Sequence, residues 1–119
     1  LRGLLILHRE GLDEHGGLAG ARDQGLLESA MARPQNLFHY EHERDLWRLA
    51  ASYAFEIARK HPFNDGNQRA AFMAATLFLA KNAIALTASQ VEATVTTVNL
   101  ASGEISEEGF ATWLKDHSK

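Results

Sequence analysis

Residues 43–60, "ERDLWRLAASYAFEIARK", set Leu46, Leu49, Ala50, Tyr53, Ala54, Ile57 and Ala58 on one face at helical spacing. The stretch reads as a long amphipathic helix that stops at Lys60, because His61 precedes Pro62 and a residue before proline is pushed out of the helical region. Downstream, residues 68 to 82 read as a second long helix, apolar on nearly every side between Ala70 and Ala80. A helix of that kind is normally the buried centre of its domain.

The same spacing extends outward in both directions. "LLILHREGLDEHGG" (4–17) gives a first helix stopped by Gly16-Gly17, and His8 and His15 are expected on its exposed side. Residues 16–25, "GGLAGARDQG", hold four glycines in ten positions and read as a loop or flap. Asp23 is then the expected N-cap of a short helix over "QGLLESAMAR" (24–33), ended by Pro34. "TASQ" (87–90) fits a capping box ahead of "VEATVTTVNLAS", and Ser106 caps a last helix through "FATWLKD" (110–116). Leu77, Phe78 and Leu79 are expected in the core, Trp47 and Trp113 in packing, and "GEISEE" (103–108) in a solvated acidic turn. With neither strand alternation nor internal repeat, the fold class is all-α: a single-domain helical bundle.

Composition narrows the function. At 119 residues, 45% hydrophobic and 23% charged, the chain suits one globular domain over residues 1–119. Its net charge of −3 lacks the basic footprint of a nucleic-acid binder, and no polar, basic recognition helix is seen, so no direct nucleic-acid partner is expected. The absence of cysteine removes thiolate catalysis and cysteine-bound zinc and fits a cytoplasmic location. The longest apolar run, Ala70 to Ala80 broken only by Thr76, falls far short of the roughly 20 residues that span a bilayer, so no membrane association is expected. The opening "LRGLLILHRE" lacks methionine and starts in mid-pattern, so a short N-terminal piece is expected to precede it.

Between the two long helices lies "HPFNDGNQR" (61–69). Gly66 gives a flexible backbone position, Asn67 can act as N-cap, and the first amides of the following helix make an anion cradle at the positive end of the helix dipole. Arg69 is a cation in that first turn, which is disfavoured by about 0.3–1 kcal/mol unless something negative sits nearby. One reading supplies the anion from Asp65 or from a glutamate of a neighbouring helix, with Asp65-Gly66 simply making the turn. The other takes the residues together: His61 can accept a proton near neutral pH, Asp65 can hold Mg²⁺ with substrate phosphates, and Arg69 can grip phosphate oxygens. Those are the parts of a phosphate-transfer site. His39 and His42 in "FHYEH" are spaced as metal ligands can be, but with no third ligand in sight a solvated loop and helix start is the expectation.

"HPFNDGNQR" resembles the signature of the Fic/Doc (Fido) superfamily, H-P-F-x-[D/E]-G-N-x-R, and its place between two central helices matches too. The flanks "EHGGLAGARDQGLLESAMARPQ" and "RAAFMAATLFLAKNAIALTAS" resemble the short death-on-curing branch, toxins of toxin–antitoxin pairs, so the likeness covers nearly the whole chain. It implies that His61 is the general base activating a target-protein hydroxyl. It further implies that Asp65 binds Mg²⁺ bridging ATP phosphates, that Asn64, Gly66, Asn67, Gln68 and Arg69 bind nucleotide and phosphate, and that Phe63 turns its ring inward to anchor the loop.

The glycine-rich segment, with Gly17, Leu18, Ala19, Gly20 and Ala21, corresponds to the family's flap, which docks the target as an added strand; a plain helix connector is the other reading. The implied reaction is transfer of the γ-phosphoryl group of ATP to elongation factor Tu, arresting translation. Gln68 departs from the pattern, where phosphoryl-transferring members usually carry lysine and adenylyl-transferring ones glycine, so AMPylation stands as the alternative. The family's inhibitory motif, [S/T]-x-x-x-E-[G/N], has no match, since Glu104 stands four residues before Glu108-Gly109. Inhibition by a separate Phd-like antitoxin is therefore implied. A non-catalytic nucleotide-binding adaptor is the rival from another class.

Overall fold

The computed structural model describes residues 24–61 and 66–119. Among these the chain forms five helices: α1 Gln24–His39, α2 Leu46–Lys60, α3 Asn67–Lys81, α4 Gln90–Ser102 and α5 Glu107–Asp116. An isolated antiparallel bridge joins Leu86 to Ser118, and no strand is present among the described residues. The all-α expectation holds. The expected helix over 4–17, the glycine-rich flap and the Asp23 cap lie outside the described residues.

Two helix boundaries differ from the reading of the sequence. α1 does not end at Pro34 but runs on to His39 with the proline inside it. A proline in a helix interior costs about 3 kcal/mol through its missing N–H and ring clash. Here Leu27, Ala30, Met31 and Pro34 make one buried stripe at helical spacing, and keeping that stripe in the core overrides the local preference. The capping box of α4 is also shifted from Thr87–Gln90: Ser89 accepts from the amide of Glu92 and donates to its carboxylate, both at 3.1 Å. The serine thereby satisfies one orphan amide of the first turn, and the glutamate three residues on holds its hydroxyl in place. Ser106 caps α5 as expected, accepting from the amide of Gly109 at 2.9 Å.

The innermost helix is α2, not the more apolar α3. α2 packs against α1, α3, α4 and α5, and eight of its residues are buried, including Ser52 and Glu56 together with Leu49, Ala50, Ala54, Ile57 and Ala58 of the expected apolar face, whose Leu46 and Tyr53 are partly buried. α3 buries Ala70, Ala71, Ala74, Ala75 and Leu79, while Phe72, Met73, Leu77 and Phe78 are only partly buried. Of the three residues expected in the core, Leu79 is fully enclosed and Phe78 lies at its edge, tilted against Tyr53 at 5.3 Å between ring centroids. Apolarity around the whole helix overstated its depth, because a third of its residues are alanines that fill a close helix contact rather than a wide core.

Small residues explain why α2 and α3 lie so close. Their buried positions are mostly alanine: Ala50, Ala51, Ala54 and Ala58 on one helix, Ala70, Ala71, Ala74 and Ala75 on the other. Larger side chains fill the outer core, with Leu27, Leu100, Phe110 and Leu114 fully enclosed, each burial contributing about 1.5–3 kcal/mol. Both tryptophans pack, as expected: Trp113 stacks on Phe110 at 5.8 Å, and Trp47 donates its indole N–H to Ser118 at 2.9 Å. No helix among the described residues is long and apolar enough to cross a membrane.

Candidate active site

The expected site falls at the junction of α2 and α3, the most closely packed pair among the described helices. His61 is the C-cap of α2. Its amide donates to the carbonyl of Ile57 at 3.1 Å, and its backbone is left-handed, with φ 48° and ψ 57°. The helix ends where the sequence implied, but through this turn rather than the extended backbone that a following proline favours. Histidine tolerates the left-handed region better than most residues, yet such positions persist only where the surroundings fix them, and they gather at functional sites. The His61 side of the turn is exposed.

On the other side of the junction Gly66 is the N-cap of α3, at φ 73° and ψ 23°. A left-handed N-cap needs glycine's freedom. Asn67 is therefore the first residue of the helix rather than its cap, a correction that moves Gln68 and Arg69 to the second and third helical positions. The carbonyl of Gly66 accepts from the amide of Ala70 at 2.8 Å, which closes the first turn. That turn carries Arg69 and no acidic residue; Gln68 and Arg69 are exposed and Asn67 is half-buried.

Of the nine motif residues, His61, Gly66, Asn67, Gln68 and Arg69 are thus brought to one junction. Pro62, Phe63, Asn64 and Asp65 lie outside the described residues, as do the flap residues Gly17, Leu18, Ala19, Gly20 and Ala21. Helix packing explains the gathering: two long helices held side by side by alanines must bring the end of one near the start of the next.

A model of the Fic/DOC family matches residues 1–79, which include the whole motif and α3 up to Leu79. The chain belongs to the Fic/DOC family. Among curated relatives, "Protein kinase doc" of Escherichia phage P1 is 38% identical over 112 residues, covering 94% of this chain and 88% of that protein. "Toxin Doc" of Mycolicibacterium smegmatis is 42% identical over 74 residues, covering 61% of this chain and 57% of the relative. The resemblance read from the motif is therefore the correct one, and this Fic/DOC chain is similar to Doc toxins in particular.

Beside the site lies a set of polar residues that the sequence reading of this Fic/DOC chain did not single out. Lys60 donates to Ser29 Oγ at 2.9 Å and lies 3.3 Å from Glu56, which is largely buried. Glu56 also lies 3.5 Å from Arg33, whose guanidinium donates to Glu107 at 2.6 Å. The signal was present in "FEIARK", where a carboxylate interrupts a buried apolar stripe and so requires a partner. "GEISEE" is accordingly not just a solvated turn: Glu107 is tied to Arg33, and Glu108 lies 3.1 Å from Arg48. His39 ends α1 and His42 sits in the following loop, both exposed, and no group of three potential metal ligands occurs among the described residues.

Proposed function

We propose that the chain is the toxin of a toxin–antitoxin pair and acts as a protein-modifying transferase, moving the γ-phosphoryl group of ATP to a hydroxyl of elongation factor Tu. The observation that carries this reading is the α2–α3 junction, where an exposed histidine caps the end of one helix and the next helix starts at a left-handed glycine followed by an arginine in its first turn. The cap there is a glycine and the first turn holds the Arg69 guanidinium, residue types that fit a bound phosphate.

In this reading the target hydroxyl gives its proton to the His61 imidazole as its oxygen bonds to the γ-phosphorus. The bond from that phosphorus to the β-phosphate oxygen breaks, and ADP leaves. Arg69 holds phosphate oxygens, Asn67 and the amides beside Gly66 line the anion hole, and Asn64 and Gln68 contribute to binding the nucleotide. Asp65 would hold Mg²⁺, which supplies neutralisation of charge between the phosphates. Phe63 anchors the loop. The segment with Gly17, Leu18, Ala19, Gly20 and Ala21 docks the target through its backbone. A Phd-like antitoxin restrains the toxin, in keeping with the missing inhibitory motif. The names of the two relatives, a protein kinase and a toxin, support both halves of the proposal.

Gln68 favours a second reading, because it lacks the charge of the lysine usual in phosphoryl transfer. Adenylyl transfer through the same residues would place AMP rather than phosphate on the hydroxyl. Intact-mass measurement of elongation factor Tu after incubation with the chain, ATP and Mg²⁺ separates them. A gain of one phosphate supports the proposal, a gain of AMP supports the second reading, and no gain on any tested protein overturns both.

A further inference from the structure

The last turn of α2, which ends at His61, is fastened to α1 by polar side chains with no part in the chemistry above. Lys60 reaches Ser29 at 2.9 Å, and Glu56 lies 3.5 Å from Arg33. Ser29 and Arg33 stand one helical turn apart on α1, as Glu56 and Lys60 do on α2. Residue 29 faces 60 while 33 faces 56, so the contacts form two successive rungs between antiparallel helices. Glu56 also lies 3.3 Å from Lys60, which joins the rungs, and Arg33 continues the chain to Glu107 on α5.

Helix ends fray unless tied down, and a residue in the left-handed region keeps that shape only where its neighbours impose it. His61 has both problems, and the residue bonded to it on the N-terminal side is the one these contacts hold. Arginine, glutamate and lysine side chains have many rotamers to lose, so an ordered chain of them must be maintained by its mutual contacts. We propose that Lys60 is a positioning residue. Its ammonium group, held between Ser29 and Glu56, fixes the last turn of α2 and with it the aim of the His61 imidazole. The inference rests on the transfer reading and adds to it a residue outside the motif.

Lys60→Met keeps the stem and the helix propensity but removes the ammonium. In transfer assays with elongation factor Tu, ATP and Mg²⁺, kcat is expected to fall about ten- to a hundredfold, with KM for ATP within about twofold of the original, as for a displaced base. Lys60→Arg, which can still reach both partners, is expected to restore most of the rate. A second measurement needs no activity: hydrogen exchange at the His61 amide, bonded to Ile57, is expected to quicken about tenfold or more in Lys60→Met while the amides of Ala50 and Ala51 keep their protection. Unchanged kcat, a loss confined to KM, a failure of Lys60→Arg to rescue, or unchanged exchange at His61 would each overturn the inference. If the unaltered chain transfers nothing to any target, the transfer reading falls and the exchange result alone decides whether Lys60 holds this turn.

Discussion

Arg33 on α1 and Glu107 at the start of α5 are joined by a 2.6 Å hydrogen bond, although 74 residues separate them in sequence. That bond is the main cause holding the Arg33 pKa above its ordinary value, against an opposing effect of burial. Arg33 is 42% exposed, so water screens much of the attraction and a large stabilisation is not expected. Glu107→Gln should lower stability by about 0.5–1 kcal/mol, and the loss should shrink in molar salt. Urea unfolding at two ionic strengths measures both; equal midpoints at low salt would show that the pair contributes nothing.

Ser52 presents the opposite case. Its hydroxyl is fully buried on α2 and has no hydrogen-bond partner among the described residues. Burying an unmatched hydroxyl costs about 1–3 kcal/mol on protein scales, and serine is a poorer helix former than alanine. Ser52→Ala is therefore expected to stabilise the fold by about 1 kcal/mol, read as a higher denaturant midpoint with an unchanged slope. A lower midpoint would mean that the hydroxyl has a use the fold does not reveal.

Burial pushes the Tyr53 phenol above its ordinary pKa, with a hydrogen bond to Gln35 opposing in part. The folded state thus binds the phenolic proton more tightly than the unfolded chain. Its contribution to stability is complete below about pH 10, the unfolded value, and is lost as pH rises through the folded value. Unfolding midpoints followed across that range should fall with pH, and Tyr53→Phe should flatten the fall. Identical slopes for the two proteins would contradict the assignment.

The alanine contact between α2 and α3 sets the spacing of the candidate site. Ala54 is fully buried on α2, so Ala54→Leu must either push the neighbouring helices apart or take a strained rotamer, at a cost of about 1–3 kcal/mol. Because the two helix ends carry His61 and Arg69, transfer activity should fall further than stability accounts for. Activity measured at a temperature where both proteins are fully folded separates the effects.

Much of this was legible in the sequence, for reasons that particular residues make plain. The span of α2 followed from apolar spacing, and the unusual density of chemistry between His61 and Arg69 marked out the candidate site. Pro34 misled because its local preference is set by one residue, whereas the buried stripe it joins is set by four. The depth of α3 misled because hydropathy counts alanine as apolar without regard to how little volume it fills. The ladder of Ser29, Arg33, Glu56 and Lys60 could not be paired in advance, since which helices are neighbours depends on the assembled fold; only the isolated carboxylate at Glu56 hinted at it.

The most direct test of the central claim is to follow label from ATP carrying it at the α- or the γ-phosphate, using the chain, Mg²⁺ and elongation factor Tu, with His61→Ala beside the unaltered protein. The account predicts label on the target from the γ position only, and none above background with His61→Ala. Label from the α position alone, transfer from neither, or equal labelling by His61→Ala would contradict it.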